Sequence, residues 1–66
     1  MNPQQIKSAI KRMGLTQADL ANELNVSQQM IYLIINGQTK SYRIQKFISE
    51  LIGQPIGRIW PVYERI

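Results

Sequence analysis

The sequence predicts an all-α fold of five short helices around one compact core, with the second and third joined by a tight turn. Three observations point there. Apolar residues recur at three- and four-residue spacing along successive stretches. Asn, Thr and Ser stand where helices need caps, and Gly where they need stops. The two central stretches are separated by only about three residues, which leaves no room for a loop.

The first helix opens at Asn2, whose side chain suits free amides, and Pro3, whose fixed φ suits the first helical position. Ile6, Ala9, Ile10 and Met13 form its apolar stripe, and Gly14 supplies a left-handed stop. Lys7, Lys11 and Arg12 lie off that stripe and read as a solvated face. A second helix starts after Thr16, which stands three residues before Asp19 as in a capping box, and buries Leu20, Ala21 and Leu24. It stops near Leu24, because Asn25 tolerates positive φ and Ser27 caps a third helix almost at once. Helices joined this closely must cross steeply, as in a helix-turn-helix spanning about residues 16–36.

On a wheel of about 100° per residue, Met30, Ile31 and Ile34 fall on the core side of the third helix. Gln28, Gln29, Tyr32 and Asn36 fall opposite, with Leu33 at the edge of that face and Ile35 between the two. Gly37 ends the helix. The segment "QTKSY" reads as a polar turn, after which Ile44, Phe47, Ile48, Leu51 and Ile52 repeat as a fourth helix up to Gly53. Pro55 opens one further short turn and Pro61 ends it, while Ile56, Ile59 and Trp60 close the core from below. Residues 1–66 thus read as one domain.

Composition narrows the function. The 66 residues include no Cys and no His, which removes disulfides, thiol nucleophiles, the usual zinc sites and the commonest general base. Asp19, Glu23, Glu50 and Glu64 are well separated, with no pair suited to a shared catalytic cleft. No enzyme activity, metal, cofactor or small-molecule substrate is expected. Eight Lys and Arg against four Asp and Glu leave a net charge of +4, which favours a polyanionic partner or simple solubility. With no apolar stretch near the roughly 20 residues needed to cross a bilayer, the chain is expected to be cytoplasmic, nucleoid-associated when bound to DNA, and without a membrane partner.

The run from Leu15 to Gly37 resembles, without a gap, the helix-turn-helix of the phage repressor and Cro family of bacterial DNA-binding proteins. Gln17, Ala21, Leu24, Val26, Ser27, Gln28, Ile31, Ile34, Asn36 and Gly37 carry the likeness. The C-terminal "IWP" following "LIGQP" further resembles small Ner-like phage regulators. The resemblance implies a lambda-repressor-like fold and a third helix, residues 28–36, lying in the major groove of double-stranded operator DNA. It implies base contacts from Gln28 and Gln29 in the first turn, since a glutamine amide matches adenine N6 and N7. Tyr32 would reach a base or a phosphate, and Leu33 fits either thymine methyls or the core. Phosphate contacts are expected from Gln17, Ser27, Asn36, Lys40 and Arg43.

Three positions depart from the family pattern. Asn25 replaces the usual turn glycine; Ile10 and Ile35 stand where some relatives bury an Arg and Glu pair; and the tail after Pro61 is short. The Ile10 change removes a phosphate-binding arginine and leaves an apolar tie between helices one and three. The expected function is a repressor or Cro-like transcription regulator of phage or mobile-element type, acting as a homodimer. A protein-binding adaptor or antitoxin on the same fold is the alternative, and an exposed apolar patch around Tyr63 and Ile66 would favour it.

Overall fold

The computed structural model describes residues 1–61, which form five helices in order: α1 (Pro3–Arg12), α2 (Gln17–Leu24), α3 (Gln28–Ile35), α4 (Tyr42–Ile52) and α5 (Ile56–Ile59). There is no strand among the described residues. Val62, Tyr63, Glu64 and Ile66, and with them the expected C-terminal patch, lie outside that range.

Local chemistry accounts for where the helices begin. The Asn2 side-chain oxygen accepts from the Gln5 amide at 2.8 Å while Gln5 Oε1 accepts from the Asn2 amide at 2.9 Å. Thr16 and Asp19 repeat the exchange at the start of α2, with distances of 3.1 and 2.8 Å. Each reciprocal pair satisfies two amides that a helix start leaves without partners. At α3 the Ser27 hydroxyl accepts from the Met30 amide at 3.1 Å.

The turn between α2 and α3 depends on Asn25, whose φ of 57° and ψ of 47° place it in the left-handed region. That conformation directs the Val26 amide to the Ala21 carbonyl at 3.0 Å and the Asn25 amide to the Asn22 carbonyl at 3.3 Å, the two bonds of a Schellman motif. Asparagine therefore does the work that glycine usually does in such a turn, at a modest conformational cost. Gly37, with φ of 72°, ends α3 in the same way, its neighbour Gln38 donating to the Leu33 carbonyl at 2.9 Å.

One apolar core receives all five helices. Ile6 and Ile10 come from α1, Leu20, Ala21 and Leu24 from α2, Ile31, Ile34 and Ile35 from α3, Ile44 and Ile48 from α4, and Ile59 and Trp60 from the end of α5. Apart from Leu20, every large side chain that is fully buried is isoleucine. Each contributes about 1.5–3 kcal/mol by leaving water, and β-branching leaves few rotamers to choose from. Ile10 and Ile35 are both buried in this core, and α1 packs against α3. The Met1 ammonium donates to the carbonyls of Arg58 and Ile59 at 2.9 and 3.1 Å, joining the start of the described chain to α5.

Several expectations need correcting. Met13 lies beyond the end of α1 and is 54% exposed, because the stripe stops one residue before the chain turns at Gly14. Met30 packs against the core but is only half-buried, whereas Ile35, placed between the two faces by the wheel, is fully buried, so the core face of α3 is rotated towards Ile35. α3 stops at Ile35, one residue short of the expected 28–36, with Asn36 as its C-cap. Tyr42, read as part of a polar turn, is the first residue of α4. Phe47, Leu51 and Ile52 pack against the core from α4 as half-buried residues, as their repeat suggests, but Gln45, which the repeat does not include, is 2% exposed.

Gln45 is the polar anomaly of the core: its Nε2 is buried without a hydrogen-bond partner. Leaving such a donor unsatisfied costs about 1–3 kcal/mol, and an apolar side chain of similar shape avoids that cost. Gln45→Met is expected to raise stability by about 1 kcal/mol, which for a domain this small lifts Tm by about 4–8 °C. Thermal and urea unfolding check this, and a loss of similar size would mean that the amide has a partner in the folded protein.

Candidate nucleic-acid interface

The core fixes which side of α3 is free. With Ile31, Ile34 and Ile35 locked inside, helical periodicity turns Gln28, Gln29 and Tyr32 outward, and all three are exposed. The side chains of Gln28 and Gln29 make no hydrogen bond among the described residues, so each amide keeps a donor and an acceptor for an outside partner. Among the described residues the Tyr32 hydroxyl likewise makes no hydrogen bond, and Tyr32 as a whole is 44% exposed. Leu33, for which the sequence left two roles open, is half-buried. It borders the outward face.

The candidate backbone-gripping residues sit at helix ends. Gln17 is the first residue of α2 and half-buried, and Ser27 caps α3 while its hydroxyl proton remains available. Asn36 donates from Nδ2 to the Tyr32 carbonyl at 2.8 Å, so half of its amide is spent on closing α3 and its side-chain oxygen is left over. Lys40 is exposed in the segment between α3 and α4.

Arg43 has a job that its position in the sequence did not disclose. Although it is exposed near the start of α4, its Nη2 donates to the Leu24 carbonyl at 2.9 Å, nineteen residues back. Leu24 ends α2, where carbonyls lack helical partners. The guanidinium therefore braces α4 against the turn that sets the α2–α3 angle, and it retains further N–H donors for an anion.

A second residue escaped the sequence reading. Lys7, taken as part of a solvated face, is half-buried and holds its ammonium 5.8 Å from the centroid of the Tyr32 ring. A cation this close to an aromatic face is attracted by about 0.5–1 kcal/mol at an exposed site. The signal was its place beside Ile6, whose burial brings this part of α1 to α3. Lys7 also lines, with Ile10, Lys11, Leu15, Thr16 and Gln17, a shallow hollow of about 280 Å³ between α1 and the start of α2. One outward surface thus carries two free glutamine amides, a phenol, a lysine and the first residue of α2.

The described residues contain no group of three or more His, Cys, Asp or Glu that could hold a metal ion, and no helix among them is long and apolar enough to cross a membrane. This surface is suited to hydrogen-bonding base edges and attracting anions, the two kinds of contact that DNA recognition combines. Comparison with curated proteins and comparison with solved structures each give no match. A family model described as helix-turn-helix matches residues 6–57, more than half of the chain, from the middle of α1 into α5. The chain belongs to the helix-turn-helix family of DNA-binding regulators, of the phage repressor and Cro-like type.

Proposed function

We propose that this protein is a sequence-specific transcription regulator that inserts α3 into the major groove of double-stranded operator DNA, in the manner of a small phage or mobile-element repressor. The observation that carries the reading is the pair of unengaged amides, Gln28 and Gln29, on the exposed first turn of a helix whose other face is locked in the core. Both read base edges. Leu33, at the margin of the same face, contacts thymine methyls, and Tyr32 extends the contact one turn along the helix.

Gln17, Ser27, Asn36, Lys40 and Arg43 grip the flanking phosphates and set the register. Arg43 does so with the donors left over from its bond to Leu24. One module of this size makes few contacts, so useful affinity calls for a homodimer on a roughly palindromic site, its half-sites about 34–36 Å apart. The net charge of +4 speeds encounter with the polyanion.

Gln28→Ala and Gln29→Ala are each expected to reduce discrimination between selected and scrambled duplexes by about 1–3 kcal/mol, or roughly 5- to 150-fold. Gel-shift titration of DNA selected from a random pool measures this; unchanged discrimination in both variants would remove these residues from base reading. Lys40→Ala is expected to weaken binding to all sequences alike and to lower the slope of log affinity against log salt by about one unit. An unchanged slope would dismiss that contact.

A further inference from the structure

We infer that Lys7, on α1 and outside the helix-turn-helix, binds a backbone phosphate of the same DNA, with the Tyr32 ring holding its ammonium in place. The inference rests on the DNA-binding reading above and extends that surface to a third helix.

A lysine on a helix surface normally keeps its rotamer freedom and loses it on binding, which costs affinity. Lys7 is not in that condition. It is half-buried, and its ammonium stands 5.8 Å from the centroid of Tyr32, a residue of the outward face of α3. No carboxylate pairs with Lys7 among the described residues, so its charge is not neutralised within the fold. The ring covers one side of the ammonium and leaves its other N–H donors for an acceptor from outside.

The position suits a phosphate rather than a base. α1 packs on α3 through the core, so Lys7 flanks the outward face instead of projecting from its middle. It shares its hollow with Gln17, at the start of α2, whose proposed role is also a backbone grip. Lys7 therefore joins the two helices of the motif along their common edge, where the sugar-phosphate chain runs when α3 lies in the groove. Tyr32 acts as a positioning residue in this arrangement, through its ring.

The test is the salt dependence of binding to the selected duplex, for the wild type, Lys7→Met, Lys7→Arg and the Tyr32→Ala background. Lys7→Met keeps the apolar stem and removes the charge. It is expected to lower the slope by about 0.9, so that affinity lost between 50 and 200 mM salt is about 3.5-fold smaller than for the wild type. Lys7→Arg should restore the wild-type slope, and Lys7→Gln carries the methionine expectation should that variant fold poorly. In the Tyr32→Ala background the Lys7→Met change should have a smaller effect on affinity, because the ammonium is no longer held. An unchanged slope for Lys7→Met with operator binding intact would overturn the inference and leave the DNA reading standing. An equal Lys7→Met effect with and without the ring would overturn the role of Tyr32. Absence of salt-dependent binding by the wild type would overturn the DNA reading and this inference with it.

Discussion

Burial of Ile31, Ile34 and Ile35 against the isoleucines of α1 and α4 is the constraint from which the rest of this structure follows. These three residues fix α3 both in position and in rotation about its own axis. Once that rotation is fixed, periodicity leaves no freedom over what faces out: Gln28, Gln29 and Tyr32 are exposed because their neighbours are inside. A surface built this way is ordered before it meets any partner, since the helix that carries it is already held on its opposite side. One helix thus supplies core packing on one side and a row of exposed polar side chains on the other.

The angle between α2 and α3 depends on a second set of contacts, all of them polar. Thr16 and Asp19 start α2, Asn25 turns the chain with positive φ, Ser27 starts α3, and Arg43 reaches across from α4 to the last carbonyl of α2. The last of these is distinctive. A residue proposed to grip the phosphate backbone is also a strut of the motif, so its removal acts on the fold and on the charge together. The same doubling occurs at Asn36, which closes α3 with one end of its amide and keeps the other end for use outside.

Much of this was legible in the sequence, and the limits of legibility are physical. Caps and stops are local chemistry, so Asn2, Thr16, Asn25, Ser27 and the glycines could be read from neighbours a few residues away. The outward face of α3 follows from periodicity, so the exposure of Gln28, Gln29 and Tyr32 was foreseeable while their contacts with DNA stay a proposal. What escaped depends on contacts distant in sequence. Gln45 is buried by neighbours that no wheel of α4 alone contains, Arg43 finds a carbonyl nineteen residues away, and Lys7 meets a ring on another helix. Met13 failed for the opposite reason: its spacing fitted the stripe, but the helix ended first. The family likeness outlined the motif from Leu15 to Gly37, yet it could not disclose that Lys7 joins that surface, because Lys7 lies outside the motif.

Side-chain amide resonances test directly whether the outward face of α3 is the surface that meets DNA. In a nitrogen-15 NMR titration with the selected duplex, the side-chain amides of Gln28 and Gln29 are expected to shift and to gain protection from solvent exchange. The amides of Gln4 and Gln54, exposed along α1 and before α5, should stay near their free positions. Shifts concentrated at Gln4 and Gln54, with Gln28 and Gln29 unmoved in the saturated complex, would contradict the account.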